Sequence, residues 1–321
     1  MARGAASRKP SVLAVHSGAL GDVILFGHLL RLVDAEVTLV AAGEKSRLLA
    51  GAGVVAEALD FDALPMHEVF SDAPLDQCAL PALLGTHEKL VSCFGGDRSS
   101  ALRMAAMCGA TDAMFLPVRP SGNFRGHLLE LWLDLLGLPT ELIARVRPWN
   151  VPRPWRRMAA AELRKAGISP QESYLAIHPG SGSVQKCWPL ERFIETAGRL
   201  GEAPRRLAVL FVLGPVEMDR WQPSATKRLT ARFPVLVSPG LEVLAGALAS
   251  AEAYLGNDSG VSHLAAAAGA ATTVLFGPSR RKHFAPLGRA VRTIVAEELG
   301  RISVEEVLAA AGSLPEVQEY S

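Results

Sequence analysis

The sequence predicts an α/β protein with two domains, each built around a parallel β-sheet. Three observations lead to this fold class. Strand-like apolar segments alternate with helix-like segments from end to end, which is typical of βαβ units. The chain has 321 residues, long for one domain and comfortable for two. A proline-rich stretch near the middle, RVRPWNVPRPW, interrupts the alternation.

Each half of the chain repeats the same order of elements. The predicted strands of the first half are SVLAVHSG, AEVTLVAAG and the end of HEKLVSCFGG, and its predicted helices cover residues 22–33, 44–50 and 99–108. The predicted strands of the second half are YLAIHPGSGS, RLAVLFVLG, VLVSP, the segment ending at Leu255, and TTVLFG. Its predicted helices cover residues 190–200, 217–233, 241–250 and 260–268, followed by a last helix that Ser303 and Glu306 open as a capping box. We therefore expect domains at 1–150 and 151–321, joined by an irregular linker at 145–155.

Composition and cysteine usage exclude several classes of function. The formal net charge of +1 argues against a nucleic-acid-binding protein that works through a basic face. The four cysteines lie far apart without a C-x-x-C pair, which favours reduced thiols in a cytosol over disulfides or a zinc site. The eight histidines show neither H-x-x-x-H nor H-E-x-x-H spacing, so we predict no metal site.

The sequence contains no segment that predicts a membrane span. No run approaches the ~20 apolar residues that a spanning helix needs. The apolar stretch after the basic start, VLAV, is too short for a signal peptide and fits a first strand. We expect a cytoplasmic protein. Its basic stretch ARGAASRK is compatible with a weak peripheral contact with the inner membrane. The sequence does not indicate an oligomeric state.

Three strand-to-helix loops carry residues suited to chemistry. In the first, HSGALGDVILFGHLL, Gly18 and Gly21 allow close backbone approach, and the helix start offers unpaired N–H groups. The stretch is not G-x-G-x-x-G, and no acidic residue occupies the ribose position of a nicotinamide-binding fold. Asp22, at the start of the helix, is either an ordinary N-cap or a catalytic carboxylate.

The second loop, IHPGSGSVQKCWPLERF, has the composition of a phosphate-binding loop. Glycines allow close backbone approach, hydroxyls donate hydrogen bonds, and a lysine supplies a point charge. The candidate residues are Gly180, Ser181, Gly182, Ser183 and Lys186. The spacing is not that of a Walker A loop, and a solvated surface loop is the alternative. His178 and Trp188 are predicted to be structural or to line the site.

The third loop interrupts AYLGNDSGVSHLAAAAGAATTVLFG between a strand and an alanine-rich helix. Asp258, Ser259 and Gly260 lie at the helix start, where the dipole favours an anion by about 0.3–1 kcal/mol when exposed. Ligands bind at this edge of an open α/β sheet, so we expect this loop to act together with Lys186. The alternatives are N-capping roles for Asp258 and Ser259 and simple packing for His263.

These loops together resemble those of glycosyltransferase family 9, the ADP-heptose:lipopolysaccharide heptosyltransferases and their relatives. The resemblance runs in order through GALGDVILFGHLLRL, HPGSGSVQKCWPLERF, LGNDSGVSHLAAAAGA and VLFGPSRRKHFAPLG. It implies a GT-B fold, with two Rossmann-like domains that face each other across a cleft, the acceptor on the N-terminal domain and the donor on the C-terminal one. It also implies an inverting transfer from a nucleotide-sugar such as ADP-heptose, without an obligatory metal or cofactor, to a lipopolysaccharide core or a similar glycolipid or oligosaccharide acceptor.

The resemblance also assigns roles to individual residues. Asp22 is similar to the family's catalytic base, and Lys186 to its phosphate-contacting lysine. The donor-binding positions that it implies are Ser181, Gly182, Ser183, Glu217, Asp258, Ser259, Gly260 and His263. Family members that act on phosphorylated lipid A cores often carry a basic cluster in the first half of the N-terminal domain, but residues 61–84 contain no Lys or Arg. Arg119 and Arg125 are the nearest basic candidates for an anionic acceptor, with exposed loop arginines as the alternative.

Three other functions compete with this interpretation. A nicotinamide-dependent oxidoreductase shares the two-domain α/β pattern but requires the missing dinucleotide fingerprint. A nucleotide-sugar epimerase of GT-B fold differs in releasing nucleotide without an acceptor. A non-catalytic binding protein of the same fold would be expected to lose Asp22, Lys186 or Asp258, all of which are present.

Overall fold

The computed structural model describes residues 8–95, 98–169, 171–201, 207–277 and 279–312. Its chain forms two compact units, the first of Met1–Phe124 with Leu128–Arg145 and the second of Arg125–His127 with Val146–Ser321. The sequence places the boundary at residue 150 and does not foresee that the short segment Arg125–His127 belongs to the second unit. The acceptor and donor roles of the two domains remain predictions.

The first unit is a five-stranded parallel sheet with helices. Its elements are β1 (Ser11–His16), α1 (Leu20–Leu32), β2 (Glu36–Ala41), α2 (Glu44–Gly51), β3 (Glu57–Asp60), α3 (Leu80–Leu84), β4 (Lys89–Ser92), α4 (Arg98–Met107), β5 (Asp112–Phe115) and α5 (Leu128–Leu135). The strand order is β3-β2-β1-β4-β5, and every pair is parallel. The apolar run of β1 is buried at the centre of the sheet, as expected for a strand covered on both faces.

The second unit is a six-stranded parallel sheet. Its elements are α6 (Arg153–Ala166), β6 (Tyr174–His178), α7 (Leu190–Gly201), β7 (Ala208–Leu213), α8 (Pro215–Arg220), α9 (Pro223–Thr230), β8 (Val235–Val237), α10 (Leu241–Leu248), β9 (Ala253–Asn257), α11 (Gly260–Ala268), β10 (Ala271–Phe276), α12 (Arg281–Phe284), β11 (Val291–Val295) and α13 (Val304–Gly312). The strand order is β11-β10-β9-β6-β7-β8. The predicted α/β fold class with two parallel sheets is confirmed.

In each parallel sheet, the side on which the chain adds successive strands changes at one point. In the first unit this switch lies between β1 and β4, and in the second between β6 and β9. Ligands of open α/β sheets bind outside the carboxyl ends of the strands at such a switch point. The loops after β1, β6 and β9 are the three loops that the sequence singles out, so the topology places all of them at switch points.

Two predicted elements differ from the structure. The helix expected at 217–233 is two helices, α8 and α9, which separate before Pro223 because proline lacks a backbone N–H and restricts the residue before it. The linker expected to be irregular at 145–155 already contains the start of α6 at Arg153. Pro154 fits there because the first turn of a helix needs no N–H donor.

The predicted capping box at the last helix is confirmed. The Ser303 amide donates to Glu306 Oε2 at 2.7 Å, and the Glu306 amide donates back to Ser303 Oγ at 3.2 Å. Within the described ranges, no helix is long and apolar enough to cross a membrane. Most of the basic stretch ARGAASRK, residues 2–7, lies outside the described residues. Of its last two residues, Arg8 pairs with Glu88 at 3.7 Å and Lys9 with Asp34 at 2.7 Å.

Candidate functional site

The loops after β6 and β9 meet at the switch point of the second unit. Ser181, buried in the first loop, donates its hydroxyl to the Asp258 carbonyl at 2.8 Å. Asn257, fully buried at the end of β9, accepts from the Trp188 amide at 3.0 Å and donates to the Pro179 carbonyl at 2.8 Å. These bonds cross between segments far apart in sequence. They fix the two loops as one surface.

Lys186 and Asp258 form an ion pair across this surface. The Lys186 ammonium lies 2.8 Å from Asp258 Oδ2, with the lysine side chain 38% exposed and the aspartate side chain 8% exposed. An ion pair with one buried partner is costly to break, because separation leaves the buried carboxylate without a compensating charge. The pair therefore holds a cation in a fixed position beside the backbone of both loops, with part of the ammonium open to an anionic ligand.

The helix α11 adds N–H groups to the same place. Ser259 is its N-cap residue and Gly260 its first residue, so Asp258 precedes the cap and is not the cap itself. The Ser259 hydroxyl makes no capping bond and lies 3.4 Å from Ser262 Oγ. The first amides of the helix thus remain available, with a partial positive charge, to an anion bound beside Lys186.

Glu217 lies beneath the glycine-containing loop. Its side chain is buried, and Oε2 accepts from the Gly214 amide at 2.7 Å, at the start of α8. A Cβ atom at Gly180 would lie 1.7 Å from Glu217 Oε1, so only glycine fits above this carboxylate. Arg220, on the same helix, donates to the carbonyls of Ser181 at 3.3 Å and Gly182 at 2.9 Å. Helix α8 therefore supports the loop from below. Within the loop, residues 184–186 form a 3₁₀ turn whose N-cap residue is Ser183.

Three histidines lie on or near α11 and α12 of the second unit. His263, on α11, is buried, and burial lowers its pKa to about 4 even though Asp258 opposes this shift. His127, within electrostatic range of His263, shares a hydrogen bond of 2.9 Å with the Ala285 carbonyl. His283 makes the reciprocal contact with the Gly126 carbonyl at 2.8 Å. The segment Arg125–His127 is thereby held against α12, close to the predicted donor loop.

His178 and Trp188 have the structural positions that the sequence predicts. His178 Nδ1 bonds the Val212 carbonyl at 3.0 Å, and burial lowers the pKa of its imidazole. Trp188 is buried and donates to the Ile302 carbonyl at 3.0 Å. Both side chains support β6 and α7 from inside the unit.

The first unit carries the Asp22 loop at its own switch point. Helix α1 begins at Leu20 after Ala19, so Asp22 lies within the first turn and is not the N-cap. A Cβ at Gly18 would lie 2.4 Å from the His16 ring and 3.2 Å from Asp22 Oδ2, so the loop needs glycine between these groups. The Lys45 ammonium donates to the Gly18 carbonyl at 2.7 Å and holds the loop from α2.

His16 is a buried, neutral imidazole under this loop. Its Nδ1 accepts from the Gly18 amide at 2.9 Å, and its Nε2 has no hydrogen-bond partner. Burial, helped by the charge of Lys45, lowers the pKa of His16 to about 4. The unfolded chain, with an ordinary histidine pKa near 6.5, binds this proton more readily than the folded chain.

We therefore expect the free energy of unfolding to fall as the pH is lowered from 7 towards 4. Between pH 7 and pH 5 the His16 contribution is about 2 kcal/mol. This contribution is measured by denaturant unfolding at both pH values, in the unaltered chain and in His16→Gln, with a signal that reports on the first unit. The amide oxygen of the glutamine can still accept from the Gly18 amide. The variant should lose about this much of the pH dependence, and an unchanged pH dependence would contradict the assignment to His16.

The predicted acceptor arginines lie in different units. Arg119 is exposed in the first unit, in the segment after β5, whereas Arg125 is exposed in the segment that belongs to the second unit. Across the part of the chain that the structure describes, no group of three or more His, Cys, Asp or Glu side chains is arranged to hold a metal ion.

Sequence reasoning missed several residues of these sites. Arg220 and Lys45 bond to loop carbonyls from neighbouring helices, and His127 comes from the other half of the chain. None of them lies in a glycine-rich motif, and each acts through a contact that only the fold creates. Asn257 was visible within the polar run after β9, but its role in joining the loops was not.

Comparison with known proteins identifies the family. The chain matches the model of glycosyltransferase family 9 (heptosyltransferase) over residues 114–307, more than half of its length. No curated protein sequence matches it at a significant level.

Solved structures share its fold. A glycosyl transferase family 9 protein from Veillonella parvula is 18% identical, with 96% of this chain and 97% of that chain covered and a TM-score of 0.77. The ADP-heptose lps heptosyltransferase II of E. coli is 17% identical, with coverages of 95% and 98% and a TM-score of 0.70. E. coli heptosyltransferase WaaC, solved with ADP, is 18% identical, with coverages of 95% and 100% and a TM-score of 0.68.

These findings agree with the family that the sequence motifs predict. The two parallel-sheet units are those of the GT-B fold, and the family model decides for transfer of a sugar over the oxidoreductase and epimerase alternatives. The chain therefore belongs to glycosyltransferase family 9, the heptosyltransferase family, and is a glycosyltransferase.

Proposed function

We propose that the protein transfers a heptose, with inversion and without an obligatory metal, from ADP-heptose to a lipopolysaccharide-core glycolipid or a similar oligosaccharide. The observation that carries the donor half of the proposal is the Lys186–Asp258 pair between the two loops, at 2.8 Å. It provides a fixed cation beside backbone N–H groups, which is the arrangement that a diphosphate requires. A solved family relative, WaaC, is described with ADP, which supports this choice of nucleotide.

Each donor-loop residue has a proposed task. Lys186, the hydroxyl of Ser183 and the amides at Gly182, Ser259 and Gly260 stabilise the departing diphosphate. Ser181 supports this donor site by holding its loop to the Asp258 carbonyl through its hydroxyl. Asp258 orients Lys186 and lies next to the sugar, together with the neutral imidazole of His263. Glu217 contributes to ribose binding from beneath Gly180. In this proposal the Lys186 ammonium and the N–H donors lie where negative charge develops on the diphosphate.

Asp22 is proposed to be the general base on the acceptor side. An inverting transfer needs one carboxylate that takes the proton from the acceptor hydroxyl as this oxygen attacks the anomeric carbon. Asp22 lies in the first turn of α1, on a loop that Gly18, His16 and Lys45 hold in place. Arg119 and Arg125 are proposed as contacts for anionic groups of the acceptor. We place the reaction in the cytoplasm, which suits four free cysteines.

Nucleotide binding tests the donor site directly. We expect ADP to raise the midpoint of thermal unfolding more than UDP, GDP, CMP or NAD do, because a ligand at a hundredfold excess over its Kd stabilises the folded chain by about 2.7 kcal/mol. In Lys186→Ala the ADP shift should largely disappear, since the variant removes the cation nearest the diphosphate.

The matched control is Lys165→Ala, which removes an exposed lysine that pairs with Glu162 on α6 of the same unit. It should keep the full ADP shift. Because Lys186→Ala leaves a buried carboxylate unpaired, Lys186→Ala/Asp258→Asn is measured in parallel to separate loss of binding from loss of folding. A preference for UDP or GDP would change the donor, a shift with NAD alone would contradict the proposal, and no shift with any nucleotide would favour the non-catalytic alternative.

A further inference from the structure

A cavity of about 450 Å³ lies at the carboxyl edge of the first unit's sheet. Ser92, Cys93 and Gly95, at the end of β4 and just after it, form one side, and residues 115–119, at the end of β5 and just after it, form the other. Its volume is in the usual range of small-molecule sites, about 300–1,000 Å³. The proposed function assigns no ligand to it.

The cavity adjoins the Asp22 loop within the same unit. The Cys93 amide donates to the Val15 carbonyl at 2.8 Å, so the cavity wall continues directly from β1, which leads into that loop. Burial and, secondarily, the charge of Asp22 raise the pKa of the Cys93 thiol, which places this carboxylate within electrostatic range of the lining. A molecule in the cavity therefore lies at the same edge of the sheet as the proposed base.

The far wall of the cavity is rigid. The Leu116 amide donates to the Ser92 carbonyl at 2.9 Å and continues the sheet beyond the ends of the strands. The Trp132 indole donates to the Pro117 carbonyl at 2.8 Å, and its buried ring packs edge-on against Phe26 and His16. The cavity is consequently formed before any ligand arrives.

The lining is rich in carbon and poor in charge. Phe115, Leu116, Pro117 and Val118 present apolar surface, whereas the Ser92 hydroxyl already donates to the Phe94 carbonyl at 2.8 Å. Arg119 is the one charged residue among the lining residues that the structure describes.

Aromatic side chains continue beside the cavity. Phe94, between two lining residues, stacks edge-on with Phe61 at 4.9 Å and Phe70 at 5.5 Å, and Phe70 is 58% exposed. These two phenylalanines come from residues 61–84, which contain no lysine or arginine. Such a surface suits hydrocarbon and offers little to a cluster of phosphates, which needs several cations.

We propose that this cavity binds an apolar part of the acceptor, an alkyl or aryl group, and thereby brings the acceptor's hydroxyl to Asp22. This inference rests on the proposed function, because that function is what makes the bound molecule an acceptor. It names a class of acceptor, an amphiphilic glycoside, of which at most one anionic group contacts the cavity, at Arg119. A densely phosphorylated saccharide does not fit the lining.

A matched pair of soluble glycosides tests the cavity with the full chain. Binding of n-octyl and methyl β-D-glucopyranoside, below the micelle-forming concentration, is measured by ligand-observed NMR. The octyl glycoside should bind at least about tenfold more tightly, since the burial of two methylene groups suffices for this ratio. Val118→Asp, at a lining position that is 45% exposed, should weaken octyl binding about fivefold or more, because it places a carboxylate against hydrocarbon.

Leu102→Asp is the control, the same kind of change at a 59% exposed position that does not line the cavity. It should bind the octyl glycoside normally. Any of three results would overturn the proposal. The two glycosides bind with equal affinity, or Val118→Asp and Leu102→Asp weaken octyl binding equally, or glucose 6-phosphate binds more tightly than the octyl glycoside and Arg119→Ala abolishes this binding. The ADP shift measured on the same samples separates the two hypotheses: with ADP bound and no preference for the octyl glycoside, only the cavity assignment fails. Octyl binding without an ADP shift would contradict the role as acceptor site.

Discussion

Replacement of Asp22 by asparagine is expected to lower the rate of sugar transfer by about 10²–10⁴-fold, the usual contribution of a general base. The amide has nearly the shape of the carboxylate but cannot take the proton from the acceptor hydroxyl. Folding should change little, because an acidic residue in the first turn of a helix contributes only about 0.3–1 kcal/mol. The measurement is ADP release from ADP-heptose, with an acceptor preparation that supports turnover by the unaltered chain.

Two comparisons make this result specific to Asp22. Glu44→Gln removes the acidic residue in the first turn of α2, which follows β2 at the same edge of the sheet, and should keep normal turnover. The ADP-induced thermal shift of Asp22→Asn should equal that of the unaltered chain, because the proposed nucleotide contacts all lie in the second unit. Turnover within a factor of about three of normal would remove Asp22 from the role of base, which by itself contributes ~10²-fold or more.

The sequence predicted which loops lie together better than what surrounds them. Parallel strands, strand-to-helix turns and the residues within them follow from local patterns, so Lys186 and Asp258 could be expected to act together before the fold was known. The distance of 2.8 Å between them confirms that they meet. Contacts such as those of Arg220 and Lys45 depend on where α8 and α2 pack, which a one-dimensional pattern does not encode.

The segment Arg125–His127 illustrates the same limit. Its sequence neighbours belong to the first unit, but its own contacts are to Ala285 and His283 of the second. A domain boundary inferred from composition assumes that the chain crosses once, and the proline-rich stretch near residue 150 satisfied that assumption. The assignment of residues 125–127 to the second unit leaves no signal in the composition, because only three residues are involved.

The cavity beside Asp22 could not be predicted for a similar reason. The absence of lysine and arginine from residues 61–84 was visible in the sequence, but it became informative only when Phe61 and Phe70 were found stacked on Phe94 at the cavity edge. Where the sequence lacks a basic cluster, the folded chain thus places two phenylalanines at the cavity edge, in a segment whose charged residues are acidic.

The second large effect is expected from Gly180→Ala, which should abolish detectable ADP binding. The added Cβ would lie 1.7 Å from Oε1, 2.1 Å from Cδ and 2.8 Å from Cγ of Glu217. Glu217 is buried and anchored by the Gly214 amide at 2.7 Å, so its carboxylate cannot move aside without leaving that donor unpaired. The loop must move instead, and Ser181 then loses its 2.8 Å bond to the Asp258 carbonyl.

The neighbouring glycine provides the matched control for this prediction. A Cβ at Gly182 meets nothing within 4 Å, so Gly182→Ala makes the same chemical change in the same loop without a clash. Isothermal titration with ADP should give a normal or moderately weakened Kd for Gly182→Ala and no measurable binding for Gly180→Ala. In Gly180→Ala/Glu217→Ala the clash is removed, and ADP binding equal to that of Glu217→Ala alone, which lacks only the proposed ribose contact, would trace the defect to Glu217. Equal loss of binding in the two single variants would instead show that the loop needs glycine for direct approach to the nucleotide, because steric conflict with α8 is absent at residue 182.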